Sequence, residues 1–235
     1  MSLTSSTGST GSPGPRFSPK SLAFLRALKR NNDREWFRAR KDQYDEVLKG
    51  PMLDVIGRLA EDFQGFAPDL QASPASIFRI YRDTRFSADK TPLKTQISAV
   101  FPSKRLPKHH SSGLYFEVTP AWVWAGGGLY APDTSELQAV REHIASNLRK
   151  FRAIVEAPSF KRAVGALEGD RLQRVPRGFA PDHPAAEYLK FRQFIGGKQF
   201  PAVFATSPRF YAALLGVFKP VAPLVGFLNE AISKT

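Results

Sequence analysis

Apolar residues recur along this chain with a period that changes twice. From Ser18 to Phe63 the spacing is helical. Leu22, Phe24, Leu25 and Leu28 form one stripe, Trp36, Phe37, Tyr44, Val47 and Leu48 a second, and Leu53, Ile56, Leu59, Ala60 and Phe63 a third. Ser18 is placed to cap the first helix, with Pro19 at its first position. Asn31-Asn32 predicts its end through a left-handed C-cap, Asp33 caps the second helix, and Gly50-Pro51 separates the second from the third. After Pro74 the period shortens. Ile77–Tyr81 is β-branched and aromatic and predicts a strand, residues 83–93 a loop, and Lys94–Phe101 and Leu114–Thr119 two further strands. TPAW turns the chain into a strand over Trp122–Ala125, and Gly126-Gly127-Gly128 then predicts a bulge or hairpin corner.

Helical spacing returns after Asp133-Thr134, an N-cap for a long helix with Leu137, Val140, Ile144, Leu148 and Phe151 inward. A short helix over 158–168, a loop over 169–184, a last strand over Phe191–Ile195 and a helical pattern over 208–232, interrupted by Pro220 and Pro223, complete the chain. Helices, then strands, then helices predict an α+β fold: a mainly antiparallel sheet packed against helices, in a single domain over 18–235. Residues 1–17 are almost all Ser, Thr, Gly and Pro and predict a disordered leader. No repeat is visible.

Composition sharpens this picture. Of 235 residues 42% are hydrophobic and 19 are Phe, enough for a substantial core. The absence of Cys excludes disulfides, thiolate metal sites and cysteine nucleophiles. The N-terminus has no apolar core of signal-peptide type, and no run reaches 18 uninterrupted apolar residues, so a cytoplasmic protein with no membrane span is expected. The formal charge of +13 favours anionic partners.

The densest basic stretch is IFRIYRDTRFSADKTPLK, residues 77–94, where Arg79, Arg82, Arg85, Lys90 and Lys94 face only Asp83 and Asp89. Two readings stay open. The cations gather around a phosphate or carboxylate, for which the arginine fork and lysine point charge are suited. Alternatively, Arg82 and Arg85 pair with the two aspartates and fix the loop. Arg177, His183 and Lys190 would close such a site from the C-terminal half. His183 is a candidate for a general acid or base, or a cap for the helix beginning at Pro184. Glu117 is placed to meet Arg79 or Lys94 across strands, as a structural pair or a site acid. His109-His110 lies in a basic polar loop expected to be exposed and mobile. No HExxH and no carboxylate set at ligand spacing appears, so no metal site is expected. Neither GxSxG nor a P-loop is present, and Gly126–Gly128 lacks the GK[ST] that would follow.

Four segments occur in order: NNDREWFRARKDQYDEVLKGPM, FRIYRDTRFSADKTPLKTQ, WAGGGLY and VPRGFAPDHPAAEYLKFRQF. Together they resemble the DUF2461 family, a bacterial and fungal group described as conserved hypothetical proteins. The likeness covers roughly residues 18–232, and Leu93 stands where a close family form has Tyr. The resemblance implies the boundaries and motifs but carries no established activity. The expectation is a protein that binds an anionic small ligand in a basic pocket. A nucleic-acid-binding or acidic-partner module is the alternative, and no RNP-like motif, KH loop or helix-turn-helix supports it. The sequence specifies no cofactor and no oligomeric state.

Overall fold

Ser18 opens the first helix by a reciprocal cap: its hydroxyl accepts from the Ser21 N–H at 3.3 Å, and its own N–H donates to Ser21 Oγ at 3.0 Å. This is α1, Pro19–Arg30, in a computed structural model that describes residues 14–107 and 109–234. Of the leader expected over residues 1–17, residues 1–13 lie outside the described residues. Its last residues are packed: Phe17 is buried, donates its N–H to the Ala205 carbonyl at 3.0 Å and sets its ring 5.8 Å from Phe210. The domain therefore begins before Ser18, because an aromatic side chain there has a core to enter.

Asn31 ends α1 at φ −124°, not in the expected left-handed conformation, and its side-chain amide donates to the Ala27 carbonyl at 2.9 Å. Asp33 caps α2, Arg34–Arg38, as predicted. A short α3, Lys41–Tyr44, then widens into a π-helical turn over Asp45–Lys49 and runs on into α4, Gly50–Phe66. Gly50-Pro51 is thus not a break. Pro51 has no N–H to lose, and the Gly50 N–H reaches back five residues to the Asp45 carbonyl.

Four antiparallel strands follow in the spatial order β1 (Ile97–Pro102), β2 (Gly113–Val118), β3 (Trp122–Leu129) and β4 (Phe194–Pro201). The chain is an α+β protein. Ile77–Tyr81 does not join this sheet as a strand. It touches β1 through one bridge, Ile77 to Ala99, and pairs Tyr81 with Leu93. Gly126–Gly128 is no corner: all three lie inside β3, paired with Gly197, Gly196 and Ile195 of β4. The last strand begins at Phe194 and extends to Pro201, beyond the predicted segment.

Register assigns the two faces. Ala99, Phe116 and Ala125 stand in one cross-strand row, and Phe101 and Leu114 in the next on the same face, all buried. Ser98, Glu117 and Trp124 mark the other face. The first face is covered by α9, Phe210–Ile232, which packs on β3 and β2 and touches α4. Pro220 and Pro223 leave this helix continuous, because burial of Phe218, Val221, Leu224, Val225 and Leu228 holds it against the sheet. By length and composition α9 could cross a membrane, yet 56% of its most apolar window is buried inside the fold. Tyr211 fastens α9 to α4 by donating to Asp62 at 2.6 Å.

The long helix after Asp133 is two helices. α5, Thr134–Ser146, meets α6, Leu148–Val155, at Asn147, whose φ of −127° and ψ of 34° break the helical path. Next come α7, Pro158–Val164, shorter than predicted, and α8, Ala186–Leu189. Both α6 and α7 pack on α9, and α8 packs on α5.

Candidate anion site

The basic stretch forms a two-limbed ribbon hung on the free edge of β1. Phe78 donates its N–H to the Ser98 carbonyl at 3.0 Å, Lys94 to Ile80 at 2.8 Å, and Arg82 to Pro92 at 2.9 Å. Asn32 locks the far limb: its Nδ2 donates to the Leu93 carbonyl at 2.8 Å and its Oδ1 accepts the Leu93 N–H at 3.0 Å. A side-chain amide thus replaces a strand partner. Nothing in the local pattern around Asn32, which reads as a helix stop, signals that role.

Three of the five cations are used within the loop. Arg82 donates to Asp89 and Thr91, and at 3.4 Å to Ser87. Arg85 grips Asp83 with two bonds, of 3.0 and 2.7 Å. Lys90 donates to the Thr84 carbonyl at 3.0 Å. Asp89 is drawn from the ordinary 3.8 to about 2, first by the Thr91 N–H and then by Arg82. A carboxylate depressed in the folded state stabilises it above the unfolded pKa and loses that contribution as pH falls through the folded one. Acidification from 3.8 to about 2 is therefore expected to loosen residues 83–91. Amide exchange at Thr91 would accelerate over that window. Protection at Thr91 that persisted below it would contradict the network.

Arg79 and Lys94 are left. Among the described residues no carboxylate oxygen lies within 4.0 Å of either. Lys94 is half-buried, its ammonium 4.9 Å from the centre of the Phe78 ring. Burial first, and Arg79 second, hold its pKa below the ordinary lysine value.

From this pair an aromatic row crosses the second face of the sheet. Phe78 lies on this face, 6.1 Å from Tyr115, and Tyr115 is 5.9 Å from Trp124. Trp124 rests on glycine: a Cβ on Gly197 would fall 2.0 Å from its Cζ2, and one on Gly126 2.6 Å from its Cη2. Glu117 meets neither Arg79 nor Lys94. It accepts from the Tyr115 hydroxyl at 2.9 Å and from Trp122 Nε1 at 3.0 Å. Burial above all pushes the Tyr115 phenol up, so it stays a donor.

The C-terminal candidates stand elsewhere. Arg171 bridges Phe191 and Glu168 bridges Ile195, which ties their segment to β4. The first group hangs on β1, so the two occupy opposite edges, about 14 Å apart across three strand spacings. Arg177, His183 and Lys190 do not close the first site. Arg177 is exposed, Lys190 pairs with Glu187 at 2.6 Å, and His183 Nδ1 accepts the Ala185 N–H at 3.0 Å, holding the turn into α8. A cavity of about 330 Å³ opens there, lined by Arg152, Arg171, His183, Tyr188 and Phe191 among others. In the sequence Arg152 and Arg171 each read as an ordinary surface cation. Both are engaged: Arg152 donates to the Pro184 carbonyl at 3.0 Å, and Arg171 lies 4.2 Å over the Phe191 ring.

A family model described as "Conserved hypothetical protein (DUF2461)" matches residues 20–227. The chain belongs to this family. No curated protein and no solved structure matches it. The DUF2461 match contains both basic groups and all four strands.

Proposed function

We propose that this DUF2461 protein binds a small ligand bearing a phosphate or carboxylate, with Arg79 and Lys94 receiving the charge. The reading rests on Lys94, half-buried and within electrostatic reach of the exposed Arg79, with no carboxylate within 4.0 Å of either among the described residues. Burying an ammonium beside a guanidinium is unfavourable until an anion joins them. Arg79 offers a planar fork and Lys94 a point charge, a pairing suited to either anion. The ring row of Phe78, Tyr115 and Trp124 gives the rest of the ligand an apolar bed. Glu117 already accepts two hydrogen bonds, so the reading is one of binding, with no reaction assigned.

Titration of inorganic phosphate, pyrophosphate and citrate, followed by calorimetry and tryptophan emission, tests it. Saturable 1:1 binding is expected for at least one of them, weakened about tenfold or more by Arg79→Ala and by Lys94→Ala. Arg177→Ala, on the other edge, should leave it unchanged. Equal binding by the Arg79→Ala/Lys94→Ala double variant would end the proposal. An oligonucleotide that bound more tightly, with affinity falling steeply as salt rises, would favour the nucleic-acid reading instead.

A further inference from the structure

We propose that His110, Asp133 and Glu136 form a binding site for one divalent transition-metal ion. The three come from two places: His110 from the loop before β2, and the carboxylates from the start of α5. Each carboxylate uses one oxygen to build the helix cap. Asp133 Oδ1 accepts from the Glu136 N–H at 2.8 Å and from the Ser135 hydroxyl at 2.7 Å, and Glu136 Oε2 accepts the Asp133 N–H at 2.8 Å. This fixes both side chains and leaves Asp133 Oδ2 and Glu136 Oε1. Both turn to one nitrogen: His110 Nδ1 lies 2.8 Å from Glu136 Oε1 and 3.8 Å from Asp133 Oδ2. A ligating atom from each of the three lies within 4.8 Å of the other two. Metal–ligand distances near 2.0–2.2 Å place neighbouring donors roughly 3–3.5 Å apart, so small side-chain movements complete the set.

The charge balance points the same way. Glu136 is buried, Asp133 stands beside it, and among the described residues no Lys or Arg lies within 4.0 Å of either carboxylate. This holds in a chain with 34 Lys and Arg against 21 Asp and Glu. The cap bonds and the helix dipole account for one oxygen of each carboxylate. The other two converge on the His110 imidazole, which hydrogen-bonds Glu136 Oε1 and leaves Asp133 Oδ2 at 3.8 Å. Among the described residues the buried hydroxyls of Ser111 and Ser112, next in the chain, have no hydrogen-bond partner. One imidazole and two carboxylates suit Zn²⁺, Co²⁺ or Mn²⁺, and three protein donors leave positions for water. The spacing rules that predicted no metal miss this set, because His110 and Glu136 are 26 residues apart on different elements.

Calorimetry of the full chain with Zn²⁺ and Mn²⁺, and the visible spectrum with Co²⁺, tests the site. Wild type should bind one ion, raise its Tm with metal, and show the Co²⁺ band of a low-coordinate nitrogen and oxygen site. His110→Ala and Glu136→Gln should each weaken binding at least about tenfold. Gln retains the oxygen needed for the cap, so Glu136→Gln should melt with wild type in EDTA yet lose the metal-induced rise in Tm. His109→Ala and His183→Ala should bind like wild type. A wild type with no saturable 1:1 binding overturns the proposal, as does full-strength binding by the His110→Ala/Glu136→Gln variant.

Discussion

Phe218→Ala is expected to cost about 3–5 kcal/mol of folding stability. Phe218 lies midway along α9, is fully buried, and stands 5.9 Å from Phe101, 6.4 Å from Phe63 and 6.5 Å from Phe116. Those partners belong to β1, α4 and β2, so one ring joins three elements to a fourth. Truncation leaves a void that no neighbour fills without leaving its own rotamer. Urea unfolding of wild type and variant measures the loss. Phe86→Ala is the control: that ring is 95% exposed, and the change should stay within about 0.5 kcal/mol. A loss below about 1 kcal/mol for Phe218→Ala would mean that α9 is not docked on the sheet.

Gly128→Ala is the second large effect, with an expected loss of about 2–4 kcal/mol. Gly128 sits in β3 at φ 136°, a region L side chains avoid, and a Cβ there would lie 1.9 Å from the Phe194 carbonyl oxygen. Torsional strain and collision therefore act together. Gly165→Ala separates them: it has φ 81° and nothing within 4 Å of its would-be Cβ, so only the torsional part remains and about 1 kcal/mol is expected. Hydrogen exchange adds a spatial check. In Gly128→Ala the β3–β4 amides should lose protection before those of β1 and β2. Equal losses in the two glycine variants would show that the carbonyl of Phe194 yields freely.

Much of the fold was written locally. Ser18 and Asp133 cap the helices they were expected to cap, and the strands at Ile97, Gly113 and Trp122 lie close to their predicted places. Misreadings occur where a distant partner decides. Gly126–Gly128 reads as a corner until Gly196 and Gly197, on another strand, are seen opposite, with the Trp124 indole across them. Pro220 and Pro223 read as breaks until the sheet beneath α9 holds the helix together. Ile77–Tyr81 has strand composition but lies beyond β1 and meets it at a single bridge.

The candidate site was legible in part for the same reason. The density of cations between Arg79 and Lys94 is visible by eye, and so are Asp83 and Asp89, which engage Arg85 and Arg82. That Arg79 and Lys94 would have no carboxylate within 4.0 Å among the described residues depends on side-chain reach. That Arg177, His183 and Lys190 belong to a different edge depends on strand order. Neither is encoded in spacing.

The connection between β3 and β4 runs from 130 to 193 and holds four of the helices, whereas β1, β2 and β3 succeed one another through much shorter links. Closing the longer loop costs more chain entropy, so the three-strand meander should assemble first and β4 should dock last. Until then the outer margin of β3 is bare. Its glycine triplet offers another chain no side chains to interdigitate with, which makes that margin a poor seed for intermolecular cross-β growth while the polypeptide is still folding.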